Sequence, residues 1–215
     1  MKTMHLDKIT TLITLELNKP LPGKDAQFRM APSSRRLAEI PEPEKRAGVM
    51  LLLFPSGNEI CISFIKRTEY DGVHSGQVSF PGGMFEETDR SLEATARRET
   101  GEETGIDPAK IHILGTLTVL PVPISNFMVY PFVGYLDEEP VFIPDAAEVS
   151  FMILASLRVL LDPATIKKEK WNLTNESVMV PFYDVQSHRI WGATAMILSE
   201  FLTVISRAGL DRYFR

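Results

Sequence analysis

Between Gly72 and Gly105 a glycine-rich loop runs into a segment that reads as an acidic helix, and this junction narrows the folds open to the chain. Gly72, Gly76, Pro81, Gly82 and Gly83 punctuate the loop. Asp89 or Ser91 marks the start of the helix, and Gly105 with Pro108 marks its end. Strand-like runs lie on both sides: Val49 to Phe54 and Glu59 to Lys66 before it, Ile111 to Leu120 and Phe127 to Leu136 after it. Pro55, Ser56 and Gly57 join the first two as a hairpin. Strands that surround and separate a few helices predict an α/β (α+β) layered domain, whose strand order periodicity does not fix.

Residues 1–45 differ in character from the rest of the chain. An amphipathic pattern through Ile9, Leu12, Ile13 and Leu15 gives way to Pro20, Pro22, Gly23, Pro32, Pro41 and Pro43, which predicts a helix and a long loop packed on a main domain of residues 46–215. A chain of 215 residues, 44% hydrophobic, buries one good-sized core, so one domain with an extension is expected, not two. Ser156 to Leu161 and Ala193 to Ala208 also read as helical, the second with Leu198, Phe201, Leu202 and Ile205 on one face.

A net charge of -5 gives no long-range attraction to nucleic acid or to an anionic membrane, so a polyanionic ligand has to be captured by a local site. The single cysteine, Cys61, excludes an internal disulfide and a cysteine metal cage, and reads as a small core residue in a reducing compartment. Lys2, Asp7 and Lys8 interrupt the N-terminus, and the longest apolar run, Val49 to Phe54, is too short to span a bilayer. The expectation is a cytoplasmic protein with a small-molecule substrate and neither a nucleic-acid nor a membrane partner. The sequence does not give the oligomeric state and leaves room for a homodimer.

Glu99, Glu102 and Glu103 stand at i, i+3 and i+4, so a helix puts all three carboxylates on one face within about one turn. Like charges at this spacing repel, and here they sit at the electron-rich end of the helix. A bound cation reverses that sign; a solvated acidic face is the alternative. With no His or Cys nearby, such a face suits Mg²⁺ or Mn²⁺ and not zinc. Arg98, four residues before Glu102, can pair with it along the helix or serve a purely structural role. Gly82 and Gly83 after Pro81 permit a tight turn and a close backbone approach.

From Gly82 the residues GGMFEETDRSLEATARRETGEETGI resemble the signature of the Nudix hydrolases, in which Gly, five residues and an acid precede a helix bearing Arg-Glu, two residues, Glu-Glu, one residue and Gly. Arg98, Glu99, Glu102, Glu103 and Gly105 match. Asp89 replaces the usual Glu, one extra residue separates it from Arg98, and Thr100 stands where an aliphatic residue is usual. The resemblance implies the Nudix fold, an α/β/α sandwich around a mixed β-sheet. It also implies that the Gly83 carbonyl joins Glu99, Glu102 and Glu103 around Mg²⁺ or Mn²⁺. The chemistry suited to such a site is phosphoanhydride hydrolysis by an aligned water, without a covalent nucleophile. Either a helix Glu or a carboxylate from another loop can take the water's proton. Glu148, in PDAAEVSFMI, is the candidate from outside the helix, because the strand-like run after it fixes its position; an exposed loop acid is the alternative.

Just upstream, FIKRTEYDGVHSGQVSFPGG resembles the longer signature of Nudix enzymes that act on coenzyme A and its thioesters. Arg67, His74, Gly76, Gln77, Val78, Phe80, Pro81, Gly82 and Gly83 fall on its pattern, whereas Asp71 and Gly72 depart from a commoner Leu-Arg pair. The extra residue before Arg98 is a feature of the same branch. The segments LPGKDAQFRMAP, PVPISNFMVYPFVG and IWGATAMILSEF also look like segments of coenzyme A diphosphatases, so the resemblance covers nearly the whole chain. It implies hydrolysis of coenzyme A or a thioester to 3′,5′-ADP and the corresponding 4′-phosphopantetheine. Arg67, His74 and Gln77 are the substrate-binding candidates: Arg67 as a phosphate grip, His74 as a donor to phosphate or an orienter of water, Gln77 as a polar contact or a brace for the loop. The alternatives are another nucleoside diphosphate derivative such as ADP-ribose, or a nucleotide-sensing module without catalysis.

Overall fold

The computed structural model describes residues 6–35, 44–69, 71, 74–173 and 176–214. The expectations placed on Lys2, Pro41, Pro43 and Gly72 lie outside the described residues. Two long strands organise the main sheet. β1 (Lys45–Ser56) and β2 (Glu59–Arg67) form the expected antiparallel hairpin, with Leu53 opposite Ile62. Pro55 and Ser56 are still paired, opposite Ile60 and Glu59, so the connection is tighter than the sequence suggested. β1 then splits from β2. Its first half pairs with β4 (Gly82–Met84), while the far end of β2 pairs with β3 (Val78–Ser79) on one side and β8 (Val149–Ser156) on the other.

On its other edge β1 runs parallel to β7 (Phe127–Tyr135), from Lys45 opposite Phe127 to Leu53 opposite Tyr135. β5 (His112–Thr116) and β6 (Leu120–Val122) both lie antiparallel to β7. The predicted single strand Ile111 to Leu120 is thus two strands, broken around Thr118. One parallel pair among antiparallel ones makes the sheet mixed.

Alternation along β1 sends its side chains to two cores. Met50, Leu52 and Phe54 meet Ala96 of α3 (Leu92–Thr104). Leu51 and Leu53 face the opposite layer, with Ile9, Ile13 and Leu17 of α1 (Leu6–Leu17) and Phe201 and Ile205 of α5 (Gly192–Arg207). Helices therefore cover both faces of the sheet. Gly48 sets how close α3 comes: a β-carbon there would fall 2.4 Å from the Leu92 carbonyl oxygen and 3.0 Å from the Ala96 nitrogen. Cys61 is buried, and burial pushes its thiol up to about 11, as suits an inert core residue.

A second sheet, not anticipated from sequence, has the order β11-β10-β9, with β9 (Ile166–Leu173), β10 (Glu176–Val185) and β11 (His188–Trp191). Tyr183, Val185 and Ile190 place one of its faces in the α5-side core. The N-terminal extension is fastened through a buried acid. Glu200 of α5, fully buried, accepts hydrogen bonds from the Gly23 amide (3.0 Å) and Gln27 Nε2 (2.9 Å) of α2 (Gly23–Gln27). It also accepts from the Thr118 amide (3.2 Å) and hydroxyl (2.6 Å). Three segments distant in sequence meet on one carboxylate. Among the described residues, no helix is long and apolar enough to cross a membrane.

Candidate active site

α3 begins where the sequence places it. The Ser91 hydroxyl caps it by accepting from the Ala94 amide at 3.1 Å, and Gly105 closes it in the left-handed conformation. Thr100 is fully buried, and its hydroxyl donates to the Ala96 carbonyl within the helix at 2.6 Å. A polar side chain at an otherwise aliphatic position is satisfied in this way.

Arg98 does pair with Glu102, at 2.9 Å, but that is its lesser contact. Its Nε and Nη2 form a two-pronged bond to Asp89, each at 3.0 Å, and Nη1 also reaches Glu99 at 2.9 Å. Asp89 accepts further from the Glu86 amide and the Thr95 hydroxyl, at 3.0 and 2.8 Å. Hydrogen bonds from Arg98 hold Asp89 well below the usual carboxylate range, and the same bond raises the Arg98 guanidinium. Asp89, read from sequence as a helix-start marker, is therefore the anchor of Arg98. The available signal was its place in the acidic first half of the motif.

Glu103 is 2% exposed, and burial pushes its carboxyl up to about 7, against the opposing pull of the Gly82 amide and Arg67. It accepts from the Gly82 amide at 2.8 Å and from Arg67 Nη1 at 3.2 Å. Burial likewise raises Glu99, and the Glu148 charge adds to the rise at both Glu99 and Glu103. Glu99 lies against Gly83, where a β-carbon would come within 2.4 Å of its carboxyl carbon. Glu102 is the outermost of the three, its side chain 59% exposed.

Glu148 joins this group. Its carboxylate is half exposed and 3.9 Å from Arg67 Nη2, so Arg67 stands between the helix acid Glu103 and the loop acid. The structure thus brings Arg67 to the carboxylates. His74 and Gln77 meet one another, Nδ1 to Oε1 at 3.3 Å, on the loop whose Gln77 carbonyl accepts from the Arg67 amide at 3.0 Å. Among the described residues, no three His, Cys, Asp or Glu side chains converge as a ready metal cage. The oxygen-only donor set, the seat of Glu99 on Gly83 and the raising of Glu99 and Glu103 by burial and by the nearby Glu148 charge fit a hard cation beside this face.

An acid-bearing helix resting on a split mixed sheet, with helices on both faces, defines a recognisable class of α/β protein. A family model described as the NUDIX domain matches residues 44–175, and the chain belongs to the Nudix family. Nudix hydrolase 22, chloroplastic, of Arabidopsis thaliana is 32% identical over 169 residues, which is 75% of this chain and 55% of that protein. The uncharacterised Nudix hydrolase NudL of Pectobacterium atrosepticum is 35% identical over 186 residues, 84% of this chain and 91% of that one. The chain spans little more than half the length of the plant relatives it matches, 55% and 56%. A MutT/nudix family protein of Enterococcus faecalis superposes with a TM-score of 0.49 at 17% identity, covering 84% of this chain and 70% of that chain.

Proposed function

We propose that the chain is a hydrolase that cleaves the diphosphate of coenzyme A or a thioester of it, giving 3′,5′-ADP and the 4′-phosphopantetheine fragment, in the cytoplasm. The observation that carries the hydrolytic part is the gathering of Glu99, Glu103 and Glu148 around Gly83, Gly82 and Arg67. The substrate assignment rests on the Arg67 to Gly83 sequence.

Glu99, Glu102, Glu103 and the Gly83 carbonyl would hold Mg²⁺ or Mn²⁺, the kind of cation that Nudix hydrolases generally use. When bound, it neutralises diphosphate oxygens and acidifies water. Glu148, half exposed and outside the helix, takes the proton of the attacking water. Arg98, fixed by Asp89, holds Glu99 and Glu102 in place. Arg67 keeps Glu103 and Glu148 together and offers an Nη N–H to a phosphate oxygen. His74 and Gln77 line the loop as polar contacts for the substrate.

A panel of coenzyme A, acetyl-coenzyme A, ADP-ribose and a dinucleoside polyphosphate, each with Mg²⁺ or Mn²⁺, tests the assignment. Turnover of the coenzyme A compounds is expected. Turnover of ADP-ribose without them would assign the same chemistry to another diphosphate, and no turnover of any would point to a binding module. Gly83→Ala should displace the Glu99 carboxylate and lower kcat by about 10²-fold; an unimpaired variant would remove Gly83 from the site.

A further inference from the structure

The acids Glu103 and Glu148 are 45 residues apart in sequence, yet they are joined by a short backbone relay that passes through Asp145. The Asp145 amide donates to the carbonyl oxygen of Glu103 itself, at 3.2 Å, and the Ile143 amide to that of Thr104 at 2.8 Å, so this stretch closes over the last turn of α3. Asp145 then turns the chain. Its carbonyl accepts from the amides of Glu148 (3.1 Å) and Val149 (2.8 Å), and its Oδ1 accepts from the Ala147 amide at 2.9 Å. On the far side Thr68, next to Arg67, pins the same turn: its amide donates to the Glu148 carbonyl at 3.0 Å and its hydroxyl to the Ala147 carbonyl at 3.1 Å.

Resting on the proposed role of Glu148, we infer that Asp145 is a positioning residue for the reaction: it fixes where the Glu148 carboxylate stands relative to Glu103 on α3. Its side chain contributes through one bond, Oδ1 to the Ala147 amide, which closes an Asx-type turn two residues on. The backbone bonds survive replacement of Asp145 by Ala, whereas this one does not. Exposed loop acids ordinarily tolerate replacement. Here the loss should be felt at a carboxylate three residues away, because general-base action depends on reach and alignment.

The experiment uses the full chain with coenzyme A and Mg²⁺, comparing Asp145→Ala and Asp145→Asn in the parent and Glu148→Gln backgrounds. Asp145→Ala should lower kcat by about fivefold with KM unchanged. Asp145→Asn, whose side-chain oxygen accepts the same bond, should restore it. In the Glu148→Gln background Asp145→Ala should cost nothing further, since it acts through the side chain already removed. An equal loss in both backgrounds, or none in the parent, overturns the inference. Parental rates for Glu148→Gln would instead overturn the role given to Glu148. Amide hydrogen exchange supplies a readout independent of turnover: Asp145→Ala should speed exchange at Ala147 and Glu148, and Asp145→Asn should not. Unchanged exchange in Asp145→Ala would sink the proposal even if coenzyme A is not the substrate.

Discussion

Glu103→Gln is expected to lower kcat by about 10³-fold while the protein stays folded. The carboxamide keeps the volume of a side chain that is 2% exposed, and its oxygen can still accept the Gly82 amide bond. What disappears is the charge proposed to hold the cation. Unchanged turnover would refute the metal-binding assignment. The same variant carries a pH signature. Glu103 titrates at about 7 in the folded chain against a reference of 4.5, so its contribution to stability is complete below about 4.5 and is lost as pH rises through about 7. In EDTA, the parent should therefore lose up to about 3 kcal/mol across that window, and Glu103→Gln should lose little of it. Denaturant midpoints at pH 5 and pH 8 give the comparison, and parallel pH profiles would show that burial does not raise this acid.

Glu200→Ala is expected to destabilise the fold by about 3–5 kcal/mol, which lowers Tm by roughly 10 °C in a chain this long. Truncation leaves the Gly23 and Thr118 amides and the Thr118 hydroxyl without their acceptor, and takes one of two from Gln27 Nε2, which keeps the Thr118 carbonyl at 2.8 Å. The loosening should begin at the extension, so proteolysis after Lys24 and Arg29 should accelerate before the rest of the chain is cut. A Tm within about 2 °C of the parent, or unaltered cleavage at these two residues, would show that the clamp is dispensable.

The acidic helix was legible because local signals agreed: a Ser cap, an i, i+3, i+4 run of carboxylates and a closing glycine are all written within about fifteen residues. The hairpin of β1 and β2 was equally local. The β9–β11 meander was not, since Lys167, Lys168, Glu169 and Lys170 break any apolar alternation in β9, and Pro181 sits inside β10 opposite Lys168. Those lysines belong to an edge strand, where charge is tolerated and discourages pairing with another chain. At the site, Glu148 could be named as a candidate from the strand after it, whereas its meeting with Glu103 through Arg67 depends on β2 and β8 lying side by side. Glu200 was not singled out from the sequence, because its four donors come from segments far from it in the chain.

Gly48 carries a consequence for how a protein of this kind can diversify. With the Leu92 carbonyl 2.4 Å from where a β-carbon would stand, the helix rests on bare backbone, and the acids inherit the stiffness of the central strand. A larger residue at Gly48 would pry α3 outward as a lever and move every carboxylate on it at once. At Gly48, therefore, a single substitution shifts the three acids together and does not retune one of them alone. Change is left to the loops that surround the helix, which can vary without moving the three acids as a block.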